Sequence, residues 1–185
     1  MRRFSLSKQP LLLAAVLSAL CVVTGYLFLF VPNVELITAM VFLSGAVMGP
    51  AYGLLIGGVS ELIFSLFNPY GTPMPTLLAA QVLSFCCIGV CGGTFGRLQF
   101  RSSTIRVGVF AALGFFLTLI YDLLTTLSFA LFAAGGDWQK TAAFFLQGSP
   151  FYLIHLGSNA VVFALLIPPA LTQIRALDFM RRKFA

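Results

Sequence analysis

Polar side chains that could bind a small molecule stand inside long apolar runs of this sequence. Three of them are the carboxylates Glu35, Glu61 and Asp122, and one is the chain's only histidine, His155. Carboxylates accept hydrogen bonds and bind cations, and imidazole exchanges protons near neutral pH. Asn159 follows His155 by four residues, so the two share one face of a helix. Residues of these types fit a binding site or an enzyme that acts within the membrane.

Composition identifies the class of protein that must position these residues. The chain has 185 residues, of which 59% are hydrophobic and 9% are charged. A soluble domain carries about 25% charged residues, so the sequence indicates a polytopic membrane protein. At roughly 20 apolar residues per span, the length allows about six spans. We therefore predict a single membrane domain over 1–185, without a soluble catalytic domain.

Hydropathy and proline positions predict an all-α integral membrane protein, a compact bundle of six transmembrane helices. The predicted spans are 10–31, 34–49, 51–68, 75–95, 106–134 and 150–169. Prolines such as Pro32, Pro50 and Pro150 lie at the boundaries, where they cost a helix least. Pro168 and Pro169 are expected to end or kink the last span.

Basic residues give the orientation. They form short clusters beside the ends of apolar runs: Arg2, Arg3 and Lys8; Arg97, Arg101 and Arg106; Arg175; and Arg181, Arg182 and Lys183. By the positive-inside rule both termini are cytoplasmic, in a multi-pass protein of the cell membrane, and only Lys140 lies outside. The clusters therefore indicate the lipid bilayer as partner and not nucleic acid. The N-terminal apolar run continues beyond Cys21, which favours an uncleaved first span over a signal peptide.

This orientation places the intramembrane polar residues in the outer half of the bundle. Glu61, for example, lies on the order of 10 Å below the outer end of its span. Because a lone charge in lipid is costly, these side chains must face the bundle interior or a wet cavity. The candidate ligand-binding residues at this depth, with those of the adjoining outer segments, are Asn33, Glu35, Glu61, Asn68, Tyr70, Gln81, Tyr121, Asp122, Trp138, His155 and Asn159.

Structural roles are the alternative for the same residues. Glu61 could pair with His155, and Asp122 could hydrogen-bond Tyr121, Thr125 or Thr126. Gln81 and Asn159 could tie helices together, and Tyr70 and Trp138 could anchor the chain at the membrane interface. The phenylalanines are expected to face lipid or the core. The shared depth of the polar residues favours a site.

Small residues spaced four apart predict close helix contacts. The pairs are Ala15 and Ala19, Gly45 and Gly49, Gly53 and Gly57, and Gly89 and Gly93. The alanine pair on the first helix could instead serve a partner chain.

Motifs for enzymatic chemistry are missing from the sequence. It contains no nucleophile elbow, Walker motif, HExxH or CxxC. The four cysteines lie in apolar runs, and one histidine completes no metal-ligand spacing. We therefore predict a protein that is not an enzyme and has no metal or cofactor of its own. An intramembrane enzyme acting on lipid or peptide, or an accessory subunit without a ligand, are the alternatives.

Two stretches resemble a known family. Residues 31–69 read VPNVELITAMVFLSGAVMGPAYGLLIGGVSELIFSLFNP, and Ala15-x3-Ala19 lies on the first helix. Both are similar to features of the S components of energy-coupling factor (ECF) vitamin transporters. The resemblance implies a high-affinity substrate-binding subunit that works with a transmembrane coupling subunit and two ABC-type ATPases. ATP would be used by those partners, and Ala15 and Ala19 would contact the coupling subunit.

The resemblance also implies where a vitamin would bind. The pocket would include Asn68, Tyr70, Gln81, Asp122, Trp138, His155 and Asn159, with Glu61 adjoining, under lids formed by the loop at Asn33 and Glu35 and by loop 69–75. The N-terminal histidine that metal-importing relatives require is absent, which argues against nickel or cobalt. Four acids and one lysine on the outer side favour a cationic or amine-bearing ligand such as thiamine, its pyrimidine precursor or a modified purine base.

Overall fold

Six helices account for most of the chain that the structure, a computed structural model, describes, namely residues 8–176. They are α1 (Lys8–Leu27), α2 (Ile37–Met48), α3 (Pro50–Leu66), α4 (Pro75–Phe95), α5 (Ser103–Ala133) and α6 (Trp138–Ala176). No strand occurs within this range, so the all-helical prediction is confirmed. The basic residues Arg2, Arg3, Arg181, Arg182 and Lys183 lie outside the described residues.

Four of these helices are long and apolar enough to cross a membrane. They are α1 from Gln9 onward, α4, α5 and α6. The apolar helices α2 and α3 have only 12 and 17 residues. At 1.5 Å per residue they are about 18 and 26 Å long, which is less than the roughly 30 Å of a bilayer's hydrocarbon core. The segment predicted as span 34–49 is therefore a loop followed by a short helix.

A single residue, Gly49, separates α2 from α3. Its φ of 91° lies in a region that side chains disfavour, and its N–H donates to the Gly45 carbonyl to close α2. Pro50 then begins α3 at the position where the missing N–H of proline costs nothing. The Gly-Pro pair thus reverses the chain tightly and holds α2 and α3 side by side.

Glycines allow α3 and α4 to pack backbone against backbone. A Cβ on Gly53 would collide with the Gly89 carbonyl, and a Cβ on Gly89 would collide with the Gly53 carbonyl. A Cβ on Gly57 would likewise meet the backbone of Phe85. These are contacts of the kind that the four-residue glycine spacing predicts. They fix Glu61 on α3 and Gln81 on α4 at adjacent positions.

Helix α6 differs from the prediction. The boundary expected at Pro150 was wrong, because α6 continues through Pro150, Pro168 and Pro169 over 39 residues. Pro150 cannot donate to the Leu146 carbonyl, but the Ser149 hydroxyl donates to it at 2.8 Å. A side-chain donor thus replaces the backbone bond that proline removes, and the helix begins at Trp138.

Basic residues and polar loops lie at opposite ends of the bundle. Arg175 Nη2 donates to the carbonyls of Gly96 (2.7 Å) and Leu98 (2.9 Å), which joins loop 96–102 to the end of α6. At the other end, the Tyr26 hydroxyl of α1 donates to Phe67 O (3.2 Å), and the Tyr70 hydroxyl donates to Leu29 O (3.4 Å), so loop 67–74 is joined to α1 and to loop 28–36. Between the ends, Phe42 packs edge-on against Phe110 and Phe163 in the core.

Candidate functional site

A cavity of about 450 Å³ lies beneath the two joined loops. This volume falls in the range of roughly 300–1,000 Å³ that is typical of small-molecule sites. All six helices or the loops beside them contribute to its wall. Its polar lining comprises Asn33, Glu35, Thr38, Glu61, Asn68, Gln81, Asp122, Thr125 and His155, and its aromatic lining comprises Phe28, Phe64, Tyr70, Phe85 and Tyr121.

His155 lies between two carboxylates on one side of the cavity. Its Nδ1 is 2.8 Å from Asp122 Oδ1, and its Nε2 is 3.6 Å from Glu35 Oε1. His155 and Asp122 are both buried, on α6 and α5 respectively. A doubly protonated imidazole ring has two N–H donors, one for each carboxylate. In that form the ring offsets one of the two negative charges.

Glu35 fastens the loop before α2 to the rest of the bundle. Its Oε2 accepts from the Thr38 N–H at 2.9 Å, which places a carboxylate at the N-terminus of α2, where the helix dipole favours it. Its Oε1 accepts from Asn159 Nδ2 at 2.9 Å. Nearby, the Ser158 hydroxyl donates to the Asn33 carbonyl at 2.8 Å. The loop is therefore held to α6 at two consecutive positions.

Glu61 occupies the opposite side of the cavity and is 2% exposed. Its Oε1 accepts from the Ser65 hydroxyl at 2.9 Å, and that hydroxyl is also 3.3 Å from Gln81 Oε1. Gln81 Nε2 in turn lies 3.4 Å from Tyr121 Oη. Glu61 Oε2 has no hydrogen-bond partner within residues 8–176. One oxygen of this carboxyl group is thus unused by the described part of the protein.

The structure assigns partners that differ from the structural alternatives drawn from the sequence. Glu61 does not pair with His155, because both ring nitrogens of His155 face Asp122 and Glu35. The carboxylate of Asp122 bonds to His155 and to none of the neighbouring hydroxyls. The Thr125 hydroxyl donates to backbone carbonyls of α5, and the Thr126 hydroxyl pairs with Tyr152 Oη at 2.5 Å.

Most of the residues singled out in the sequence meet in this cavity. Those that line it are Asn33, Glu35, Glu61, Asn68, Tyr70, Gln81, Tyr121, Asp122 and His155. Asn159 is fully buried behind the cavity wall and reaches it through Glu35.

Trp138 is not brought to the cavity. It is 77% exposed at the start of α6, and the cavity wall as described does not include it. The prediction placed Trp138 between the spans 106–134 and 150–169, and the resemblance placed it in the pocket. Instead α6 is continuous, so Trp138 stands 17 residues, about 25 Å along the helix axis, from His155.

The phenylalanines of the lining were missed by sequence reasoning, which assigned phenylalanines to lipid or core, whereas Tyr70 and Tyr121 were among the predicted residues. A signal for two of them exists. Phe64 follows Glu61 by three residues and Phe85 follows Gln81 by four, so each shares a helix face with a polar residue of the cavity. Phe28 lies in the loop after α1, where no periodicity applies.

Ala15 and Ala19 are exposed on one face of α1, whereas Ala14 and Ser18 face the bundle. The alanine pair therefore makes no close contact inside the described fold and is accessible to another chain. Its role as a coupling contact stays a prediction.

A family model described as ECF-type riboflavin transporter, S component, matches residues 5–174 of the chain. No curated protein and no solved structure matches it.

Proposed function

The chain belongs to the family of ECF-type riboflavin transporter S components, and from this premise we propose that it binds a flavin-type vitamin in the cavity under loops 28–36 and 67–74. Membership makes the chain a substrate-binding subunit of a vitamin transporter, an integral protein of the cell membrane, and not an enzyme. Which vitamin it binds, and through which residues, is the content of the proposal.

The observation that carries the proposal is the mixed lining of the cavity. Phe85 packs edge-on against Tyr121, with ring centroids 5.7 Å apart, and Tyr121 packs edge-on against His155 at 5.9 Å. Phe64 adds a further ring to the wall. Aromatic rings stack on flat heteroaromatic ligands, and the amide and carboxyl groups of Gln81 and Glu61 supply acceptors for ring N–H groups. An uncharged, flat ring with polar edges matches this lining.

The charge of the ligand is argued from the same contacts. The sequence favoured a cationic ligand because acids outnumber lysines on the outer side. Glu35, however, accepts from the Thr38 N–H and from Asn159 and faces His155, and Asp122 Oδ1 pairs with His155. Two of the three acids in the cavity are therefore engaged by the protein itself, which supports a neutral ligand.

Thiamine is the second candidate. The unpartnered Glu61 Oε2 favours it, because a buried carboxylate oxygen without a donor would gain most from a cationic ligand. A neutral ring N–H satisfies the same oxygen with a weaker bond. Competition between riboflavin and thiamine therefore decides the substrate.

ECF S components work with a transmembrane coupling subunit and ATPases. In our proposal six helices cross the bilayer or enter it, both termini are cytoplasmic, and the cavity opens to the outside. The coupling subunit docks on the face of α1 that carries Ala15 and Ala19, and two ABC-type ATPases use ATP to drive release of the vitamin into the cytoplasm. No cofactor is needed in this chain.

Identification of the molecule that co-purifies with the protein tests the proposal. The chain is purified from cells grown in rich medium, the bound small molecules are released by heat, and they are identified by mass spectrometry. The proposal expects riboflavin in near-stoichiometric amount and a rise in melting temperature when riboflavin is added back. Recovery of thiamine would support the second candidate. Recovery of no vitamin, with no melting shift from any, would support the ligand-free accessory subunit.

A further inference from the structure

A second space adjoins the cavity, between α4, α5 and α6. This side chamber has a volume of about 340 Å³ and opens to the surface of the bundle. It is lined by Leu77, Gln81, Tyr121, Thr125, Thr126, Phe129, Phe144, Gly148 and Tyr152. Three of these residues, Gln81, Tyr121 and Thr125, also line the main cavity. These three side chains therefore form a wall that the two spaces share.

The bonds that close this wall are long. Gln81 Nε2 lies 3.4 Å from Tyr121 Oη, and Gln81 Oε1 lies 3.3 Å from the Ser65 hydroxyl. Both distances are beyond the usual range for hydrogen bonds between such groups, so the bonds are weak. The Tyr121 ring is held edge-on by Phe85 and His155. Gln81 is therefore the residue of the wall whose displacement costs the least free energy.

The chemistry of the side chamber is polar and uncharged. Thr126 and Tyr152 present hydroxyls that pair with one another at 2.5 Å, and Phe129 packs edge-on against Phe144 at 5.2 Å. Among the described residues that line it, none is Lys, Arg, His, Asp or Glu. Hydroxyls both donate and accept, so Thr126 and Tyr152 can exchange their mutual bond for bonds to ligand hydroxyls. A phosphate group that entered the chamber would lose its hydration without gaining a cationic partner, so its binding there is unfavourable.

We propose that the side chamber is the subsite for the uncharged, hydroxylated chain of a ligand whose ring lies in the main cavity. The chain passes between Gln81 and Tyr121, and Gln81 exchanges its long bonds for bonds to the ligand. This inference rests on the proposed function and adds a selection rule to it. The site favours a ring that carries a neutral polyol over the same ring without it, and over a ring with a phosphorylated chain.

The test compares three flavins that share one ring: riboflavin, lumiflavin, which has a methyl group in place of the polyol, and riboflavin 5′-phosphate. Each is titrated into purified protein by flavin fluorescence. Wild-type protein is expected to bind riboflavin about tenfold or more tighter than the other two, the factor that one or two hydrogen bonds supply. Equal affinity for riboflavin and lumiflavin would overturn the inference.

Variants then locate the polyol. Leu77→Trp fills the side chamber, and Leu83→Trp places the same bulk on a 60% exposed position of the same helix. Leu77→Trp is expected to lower the affinity for riboflavin about tenfold and the affinity for lumiflavin less than about twofold, whereas Leu83→Trp changes neither affinity. Equal losses for both ligands in Leu77→Trp, or no loss for riboflavin, would overturn the inference.

A smaller change keeps the test valid if Leu77→Trp does not fold. Thr126→Val removes a hydroxyl at nearly constant side-chain shape. It should lower the affinity for riboflavin about fivefold without changing the affinity for lumiflavin. An unchanged affinity for riboflavin in this variant contradicts the subsite. Wild-type protein that binds none of the three flavins would instead contradict the proposed function, so the two failures are distinguishable.

Discussion

His155 joins three segments of the chain, because its Nδ1 is 2.8 Å from Asp122 Oδ1 and its Nε2 is 3.6 Å from Glu35 Oε1. The ring lies on α6, its first partner lies on α5, and its second lies in the loop before α2. This arrangement closes one side of the cavity. Among the described residues, His155 is also the only hydrogen-bond partner of the buried Asp122 carboxylate.

Replacing His155 by alanine should therefore destabilise the fold. Asp122 and Glu35 would face each other without the ring, and breaking a buried ion pair costs on the order of 3 kcal/mol in the free energy of unfolding. Chemical unfolding in detergent measures the loss. Leu153→Ala, at an exposed position on the same helix, is the control and should change the stability little. If His155→Ala unfolded at the same denaturant concentration as the wild-type protein, the ring would not be what stabilises these acids.

The close approach of α3 and α4 makes a second prediction about stability. In Gly89→Ala the added methyl would collide with the Gly53 carbonyl, and overpacking of this kind costs about 1–3 kcal/mol. Gly108→Ala adds the same methyl to α5 where no atom lies within 4 Å, so it should be neutral or slightly stabilising. Thermal unfolding compares the two. Equal melting temperatures would contradict the backbone contact.

The aromatic wall of the cavity makes a prediction about binding. Phe64→Ala removes a ring from the lining and should lower the affinity for riboflavin about tenfold, which is the contribution expected from an aromatic contact and the area it buries. Phe67→Ala is the matched control, because Phe67 is 73% exposed near the end of the same helix. Trp138→Ala should also bind normally. A loss in Trp138→Ala equal to that in Phe64→Ala would restore the placement of Trp138 in the site.

The exposed face of α1 makes a prediction about transport. Leucine at Ala15 or Ala19 should abolish vitamin uptake by cells, because the added bulk prevents a close helix contact with the coupling subunit. Binding of riboflavin by the purified variants should be unchanged, since neither residue lines the cavity. Leucine at Ala14, which is buried, should instead impair folding. Loss of binding in the Ala15 variant would argue against a partner contact at this face.

The convergence of the polar residues could be predicted from the sequence, because polar side chains in membrane helices have few favourable environments. Glu61, Gln81, Asp122 and His155 stand in apolar runs at similar depth, and such groups must face one another or water. Which of them pair was beyond prediction. Depth follows from counting residues, but partners depend on the rotation of each helix about its axis, and a hydropathy profile does not contain that angle.

The errors have equally specific causes. Proline removes a backbone hydrogen bond and so indicates a helix boundary, but here the Ser149 hydroxyl donates to the Leu146 carbonyl that Pro150 cannot reach. Because of this error, Trp138 was predicted to lie in a loop, whereas it is the first residue of α6. The cavity-lining rings of Phe64 and Phe85 were assigned to the core or to lipid because apolar residues satisfy every environment in a membrane protein.

Equilibrium titration of the purified protein with riboflavin tests the central claim most directly. Stacking on the aromatic wall should quench flavin fluorescence, and the account predicts one-to-one saturation with a Kd in the nanomolar range that thiamine does not displace. Quenching that stays unsaturated at millimolar riboflavin, or complete displacement of riboflavin by equimolar thiamine, would contradict it.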